Sequence, residues 1–294
     1  RSVVIGDSVT SVDSYAFYGC SSLGNVSKGN KVTSIGEYSF YNCKALTSLS
    51  FIAGITSIPS YAFAGCIGLT DVRVPSSVTG IGNNAFDGCT GLASVSIPQS
   101  VVSIGYRAFK GCSNMKSLVL EDGGGVLKLS YYSNYYDSPF DSCPLDSLYL
   151  GRNLSYGNTS TSALPFRDKT KLRSVVIGDS VTSVDSYAFY NCGMLNQVTI
   201  GLNVASISEN AFNNCGALSV IECDAPDCPK LNNSFSNYSA LLYVPTAFME
   251  QYKQADGWKN FNILPLLSNR LNVSFPVEHY NGMYLELTDS HNKL

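Results

Sequence analysis

The stretch VTGIGNNAFDGCTGLASVSIPQS, Val78 to Ser100, decides how this chain folds. Its Phe86 has counterparts at Phe17, Phe40, Phe63 and Phe109, each 23 residues from the next. The series continues after two longer intervals at Phe140, Phe166, Phe189, Phe212 and Phe235. Ten copies of one short unit define a solenoid, because each coil can bury its apolar face only against its neighbours. Such an array presents surface. Binding therefore leads as the expected function, and catalysis needs positive evidence.

One coil can be built from Leu69 to Cys89. Leu69, Val72 and Val74 alternate inward, and β-branched residues favour a strand. Pro75 ends that strand because it cannot donate to a ladder. A second short extended stretch follows, with Val78 and Ile81 inward. Ala85, Phe86, Cys89 and Leu92 are then expected in the core, and the spacing of three among the last three predicts a 3₁₀-like turn.

Bulk composition narrows the function. Hydrophobic residues make up 45 % of the 294, charged residues 14 %, and the net charge is −3. That leaves no basic field for nucleic acid or an anionic membrane. No apolar run approaches the roughly 20 residues of a membrane span, so no membrane insertion is expected. Arg1 opens directly on a repeat strand, so no signal peptide is expected. Residues 1–18 recur unchanged at 173–190, the mark of recent duplication within an array, and the chain is expected to start at a cut or processed end.

Ten cysteines would ordinarily point to secreted disulfides. Here Cys20, Cys43, Cys66, Cys89, Cys112, Cys143, Cys192 and Cys215 each fall three residues after a repeat phenylalanine. Stacked coils give them parallel Cβ directions, which favours buried thiols acting as small hydrophobes. Lys169 and Tyr238 take the same place in two coils, so the position needs no bond partner. Cys223 and Cys228 lie off this column, and both a local disulfide and free thiols stay open for them.

The motifs Leu-x-x-Val-x-Val-Pro-x-Ser-Val at 69–78 and Ile-Gly-x-x-Ala-Phe-x-Gly-Cys at 81–89 resemble the BspA-like class of leucine-rich repeats. The resemblance covers residues 1–265. It implies a curved solenoid of short parallel β-strands with 3₁₀ or short helical turns and a capping helix. It also implies an extracellular or cell-surface location, since several members are adhesins of host-associated microbes. The closing segment, residues 242–265, matches the family's usual cap, with Thr246 as N-cap, Gly257 as stop, and Phe248, Met249 and Tyr252 on one helical face. Residues 266–294 leave the pattern and read as two strands around Asn281 and Gly282, either an edge on the cap or the start of a further domain.

The repeat breaks in two places. Phe109 to Phe140 is 31 residues and Phe140 to Phe166 is 26. Val126 and Leu129 are expected to fill the second stretch of the first long coil. Its surplus, near 121–139, falls mostly after that stretch, and so does the surplus at 157–163 in the next coil. Both loops should leave the same edge of adjacent coils, and insertions on one face often mark the binding face. Tyr131, Tyr132, Tyr135, Tyr136, Tyr149 and Tyr156 fall there. Tyrosine supplies rigid contact area with a polar tip, suited to a protein or a glycan. The competing account is that these rings pack on each other to hold a long loop. The strand face offers mostly small polar outward residues, Ser48 and Ser50, Asp71 and Arg73 and Gln197 and Thr199 among them, with Tyr149 the exception, and reads as a solvated surface.

Catalytic and metal chemistry find little support. Gly-Asp-Ser at 6–8 and 178–180 resembles the nucleophile block of an esterase, but aligned coils place Pro-Ser-Ser and Pro-Gln-Ser there, so it is turn chemistry. His279 and His291 lie outside the repeats, which leaves no Ser–His pair. No Cys-x-x-Cys or His-Glu-x-x-His motif is present, and Glu121 to Gly125 lacks the lysine of a phosphate loop. No enzyme activity, cofactor or metal is expected. The expected function is a non-catalytic extracellular binding or adhesion module for a host extracellular-matrix or surface protein, or a glycan. The alternative is a stiff spacer, since ten coils at about 4.8 Å give a stack roughly 50 Å long.

Overall fold

The computed structural model describes residues 1–28, 31–131, 138–156 and 164–266. Each coil has three sides. The first is a parallel sheet of nine strands running from Asp71–Arg73 to Asn262–Leu266, preceded by the separate pair Ser2–Ile5 and Asn25–Lys28. Every ladder is parallel and in repeat register: Val72 pairs with Val95, which faces Leu118, then Leu148, Val175 and Val198. This register follows from the period, since a one-residue slip would turn every inward side chain outward.

The sheet is interrupted in the third coil. Ser50–Ile52 forms a 3₁₀ helix in place of a strand, with Phe51 packed on Phe40 at 4.9 Å between ring centroids. Ser48 and Ser50 therefore do not belong to a strand face, contrary to the sequence-based assignment. The alternation of apolar and polar residues fails at Phe51-Ile52, where two adjacent side chains are both buried.

The second side is made of strands two or three residues long, such as Gly80–Ile81 and Ser103–Ile104. In the first long coil this strand is Leu127–Leu129. Leu127 and Leu129 are fully buried while Val126 is 52 % exposed, so Leu127 and not Val126 fills the inward place. The ladder itself keeps the repeat register, with Leu129 opposite Ile104, so the change is local to the entry of the strand.

The third side carries the phenylalanines. Phe17 through Phe235 form one unbroken stack with centroid separations of 5.0 to 6.1 Å and near-parallel rings. Local three-residue hydrogen bonds are present, as from Cys89 N–H to Phe86 O, which fits the expected 3₁₀ character. They alternate with bonds to the next coil, as from Phe86 N–H to Ala108 O. Left-handed residues such as Asn84 (φ 54°) and Gly88 (φ 70°) interrupt any continuous helix.

The closing segment seals the last coil. A 3₁₀ turn at Thr246–Phe248 leads into the helix Met249–Gln254. Thr246 makes no capping bond, and the helix stops before Gly257, which opens the next 3₁₀ turn at Trp258–Asn260 with φ 81°. Phe248, Met249 and Tyr252 do pack on the core. Tyr252 and Trp258 are buried and donate to the carbonyls of Ala225 (2.8 Å) and Pro229 (2.6 Å). Those bonds satisfy acceptors at the end of the stack that no further coil meets. Cys223 and Cys228 are free thiols, and Cys223 Sγ lies 3.1 Å from the Tyr252 hydroxyl. Residues 267–294, including both histidines, lie outside the described residues.

Candidate binding surfaces

Both long loops leave the solenoid from paired strands. Leu127–Leu129 and Leu154–Tyr156 are in register, Leu127 with Leu154 and Leu129 with Tyr156. Their exits are therefore side by side. The loop segments 132–137 and 157–163 lie outside the described residues, and with them Tyr132, Tyr135 and Tyr136.

The described tyrosines of this edge are packed. Tyr131 meets Tyr156 edge-on at 6.2 Å, and both lean on the core. The Tyr131 hydroxyl is buried and finds no hydrogen-bond partner among the described residues. Burial pushes its pKa well above the ordinary value, and that of Tyr156 likewise. Tyr149 stands on the other sheet and donates to Asp122 at 2.5 Å. A Cβ at Gly178 would fall 2.8 Å from that hydroxyl oxygen, so the glycine of the next coil makes the room for this pair.

Arg152 holds the edge together. It is 2 % exposed, and its guanidinium donates to the carbonyls of Pro98 (2.8 Å), Val101 (2.8 Å), Gln99 (3.0 Å) and Ile97 (3.4 Å). It thus reaches past the intervening coil, whose surplus Glu121-Asp122-Gly123-Gly124-Gly125 departs from the regular ladder. The two terminal nitrogens of one arginine fork serve four acceptors at once, while its buried Nε finds no partner among the described residues. Nothing local to Arg152 in the sequence marked this role.

A second aromatic surface escaped the sequence reading altogether. Tyr15, Tyr38 and Tyr61 lie two residues before the repeat phenylalanine, and Tyr18 and Tyr41 one residue after it. Tyr15, Tyr38 and Tyr61 stack at 5.0 and 4.6 Å, and Tyr18 stacks on Tyr41 at 4.9 Å. The two columns tilt toward each other, with Tyr38 and Tyr41 at 53° and 5.7 Å. Tyr15, Tyr38 and Tyr61 all occupy left-handed backbone, at φ 62°, 56° and 57°. That conformation costs a bulky residue roughly 1 kcal/mol or more. Asn84, Asn210 and Asn233 take the same place in other coils, where their short polar side chains suit it better. The fixed offset of each tyrosine from its repeat phenylalanine is the sequence signal for these columns.

No helix among the described residues is long and apolar enough to cross a membrane. The architecture is a parallel β-solenoid of about eleven turns with one short closing helix, the class of leucine-rich-repeat proteins that display a surface built from successive coils. Within that class the chain belongs to the family described as BspA type leucine rich repeat region, whose six-copy model matches residues 1–116, 36–161, 83–219 and 159–247. Among solved structures it is similar to a leucine rich cell surface protein from Faecalibacterium prausnitzii, with 25 % identity, 76 % of this chain and 79 % of that one covered, and a TM-score of 0.36. It is also similar to a leucine-rich repeat protein from Bacteroides ovatus, at 19 % identity, 90 % and 92 % coverage and a TM-score of 0.34. The pneumococcal vaccine antigen PcpA is similar at 15 % identity, 92 % and 79 % coverage and a TM-score of 0.35. No curated protein matches the chain.

Proposed function

We propose that this chain is a non-catalytic binding module that works outside the cell and presents the insertion edge to a host protein or glycan. The observation that carries this reading is the pairing of Leu127–Leu129 with Leu154–Tyr156, which sends two tyrosine-bearing or polar loops out of adjacent coils at one point. Tyr131 and Tyr156 are the anchors, half-buried with their rings packed against the core. Tyr132, Tyr135 and Tyr136 are the contact residues, and Tyr149, paired with Asp122 on the main sheet, is a further candidate.

The test is a screen against extracellular-matrix proteins and a glycan array, using the native chain and a Tyr132→Ser/Tyr135→Ser/Tyr136→Ser variant. Tyr131 stays in place because removing a buried ring would confound binding with folding. A ligand held by the native chain and lost by an equally stable variant supports the reading. A ligand held equally by both moves the site elsewhere.

The unbroken phenylalanine stack favours a second reading, a stiff spacer. A spacer tolerates deletion of one whole 23-residue coil. A binder whose site spans adjacent coils does not tolerate loss of either of those two.

A further inference from the structure

We propose that the cleft between Tyr156 and Asp185 takes a lysine side chain of a partner protein, its stem on the apolar floor and its ammonium on the Asp185 carboxylate. The inference rests on the insertion edge being a binding face, and it names the chemistry that this edge recognises.

The cleft exists because the second side of the solenoid breaks there. The sheet that ends at Leu154–Tyr156 is separate from the one that begins at Ser183–Val184. In intact coils the residue after the short strand donates to the coil before, as from Gly36 to Val12 O, Gly82 to Ile58 O and Gly105 to Ile81 O. Among the described residues Asp185 makes no such bond to Tyr156. Asn153 clasps the two coils instead, accepting from the Thr182 N–H at 3.0 Å and donating to Thr182 Oγ1 at 2.9 Å.

The opening reaches the floor of the cleft. Ala188 is 7 % exposed, whereas Ala62, Ala85, Ala108 and Ala211 in the same place of other coils are at 0 %. Leu154, Tyr156, Phe166 and Phe189 complete an apolar lining around it. The cleft measures about 280 Å³ with its open mouth. Sites for whole small molecules run to roughly 300–1,000 Å³, so this one suits a single side chain.

Charge selects the guest. The place of Asp185 is held by Gly36, Pro59, Gly82, Gly105 and Ser208 in other coils, none of them charged. Asp185 is half-buried against the apolar lining, and burial raises its pKa with no cation or hydrogen-bond donor to offset the effect. A carboxylate held in this way gains from a cation brought to it. Lysine fits because its four-carbon stem lies along apolar surface while its compact ammonium meets a single carboxylate. Asp13, the twin of Asp185 in the repeated 18 residues, is exposed on the first coil. The cleft therefore comes from the neighbouring coil and not from local sequence.

The experiment titrates the full chain with the peptide acetyl-Ser-Gly-Lys-Gly-Ser-amide and with its norleucine counterpart, which keeps the stem and removes the ammonium. The lysine peptide should bind about 10-fold tighter. Asp185→Asn should abolish that preference. Asp13→Asn, the same change in the exposed twin, should leave it intact. In ¹³C-labelled native chain the lysine peptide should shift the Asp185 carboxyl and Ala188 methyl resonances, a readout that needs no variant.

Equal affinity for the two peptides overturns the proposal. So does a preference that survives Asp185→Asn or is lost with Asp13→Asn, or the absence of shifts at Asp185 and Ala188. If the lysine preference is absent while a matrix protein or glycan binds and is lost with the Tyr132→Ser/Tyr135→Ser/Tyr136→Ser variant, the edge remains a binding face and the lysine site alone falls.

Discussion

The thiol of Cys89 donates to the carbonyl oxygen of Phe63, 26 residues earlier, at 3.1 Å. The same oxygen accepts the Cys66 N–H at 3.2 Å, so both of its lone pairs are used. Equivalent thiol bonds run from Cys43 to Phe17, Cys66 to Phe40, Cys112 to Phe86, Cys143 to Phe109, Cys192 to Phe166 and Cys215 to Phe189. The ladder cysteine is thus a donor that fastens each coil to the one before, beyond its expected part as a small hydrophobe. Cys89→Ala should cost about 1–2 kcal/mol, one net hydrogen bond plus a small void. Cys89→Ser, which keeps a donor, should cost less. Urea midpoints of the two variants decide it, and a neutral alanine would reduce the thiol to filler.

Lys169 makes the same bond by other means. Its Nζ donates to the Phe140 carbonyl at 2.6 Å, in the place where other coils use a thiol. Burial pushes the ammonium's pKa below its ordinary 10.5. A lowered folded pKa means that the charged lysine opposes folding below that value. The opposition fades as pH rises through the folded pKa toward 10.5, where the unfolded chain also loses its proton. Lys169→Cys should therefore stabilise the chain at pH 7, by about 1 kcal/mol. The wild-type deficit should shrink on the way to pH 10. Chemical denaturation at several pH values tests both statements.

The thiols should be silent in the folded chain. Burial raises Cys43 to about 11 and Cys89 and Cys215 to about 12, while Cys20 is exposed. A thiol-specific reagent at pH 8 should label Cys20 quickly and Cys228, which is half-buried, more slowly. The other cysteines should react only on unfolding. Because these folded pKa values are raised, the stabilisation they represent is complete below the ordinary 9.0 and is lost as pH climbs toward 11–12. Alkaline unfolding that is unchanged when Cys43, Cys89 and Cys215 are replaced by Ala would contradict this.

Phe86 is fully buried between Phe63 and Phe109, at 5.4 and 5.1 Å. Phe86→Ala should cost about 3–5 kcal/mol through lost transfer energy and the cavity left behind. Phe17 is only half-buried at the first coil, and Phe17→Ala should cost less than half as much. Equal costs for the two, read from urea melts, would mean that the stack is not the source of the stability.

The candidate site was less legible than the fold. The tyrosines of 131–156 cluster in sequence, yet Tyr131 and Tyr156 pack against the core and Tyr149 belongs to another sheet. Tyr15, Tyr38 and Tyr61 are far apart in sequence and meet as a column. Arg152 looks like an ordinary surface charge by composition, and its four carbonyl partners lie more than 50 residues away.

The amino-acid sequence by itself determined the coil, its length, its inward positions and its parallel register. A repeat of 23 residues can be satisfied only by stacking each residue on its own counterpart. Tertiary structure alone decided which tyrosines pack against the core and which stay exposed. Tyrosine has an apolar body and a polar tip, so its fate depends on the room and the partners offered by the coils on either side. Those neighbours lie a full repeat away in sequence, beyond the reach of any local pattern.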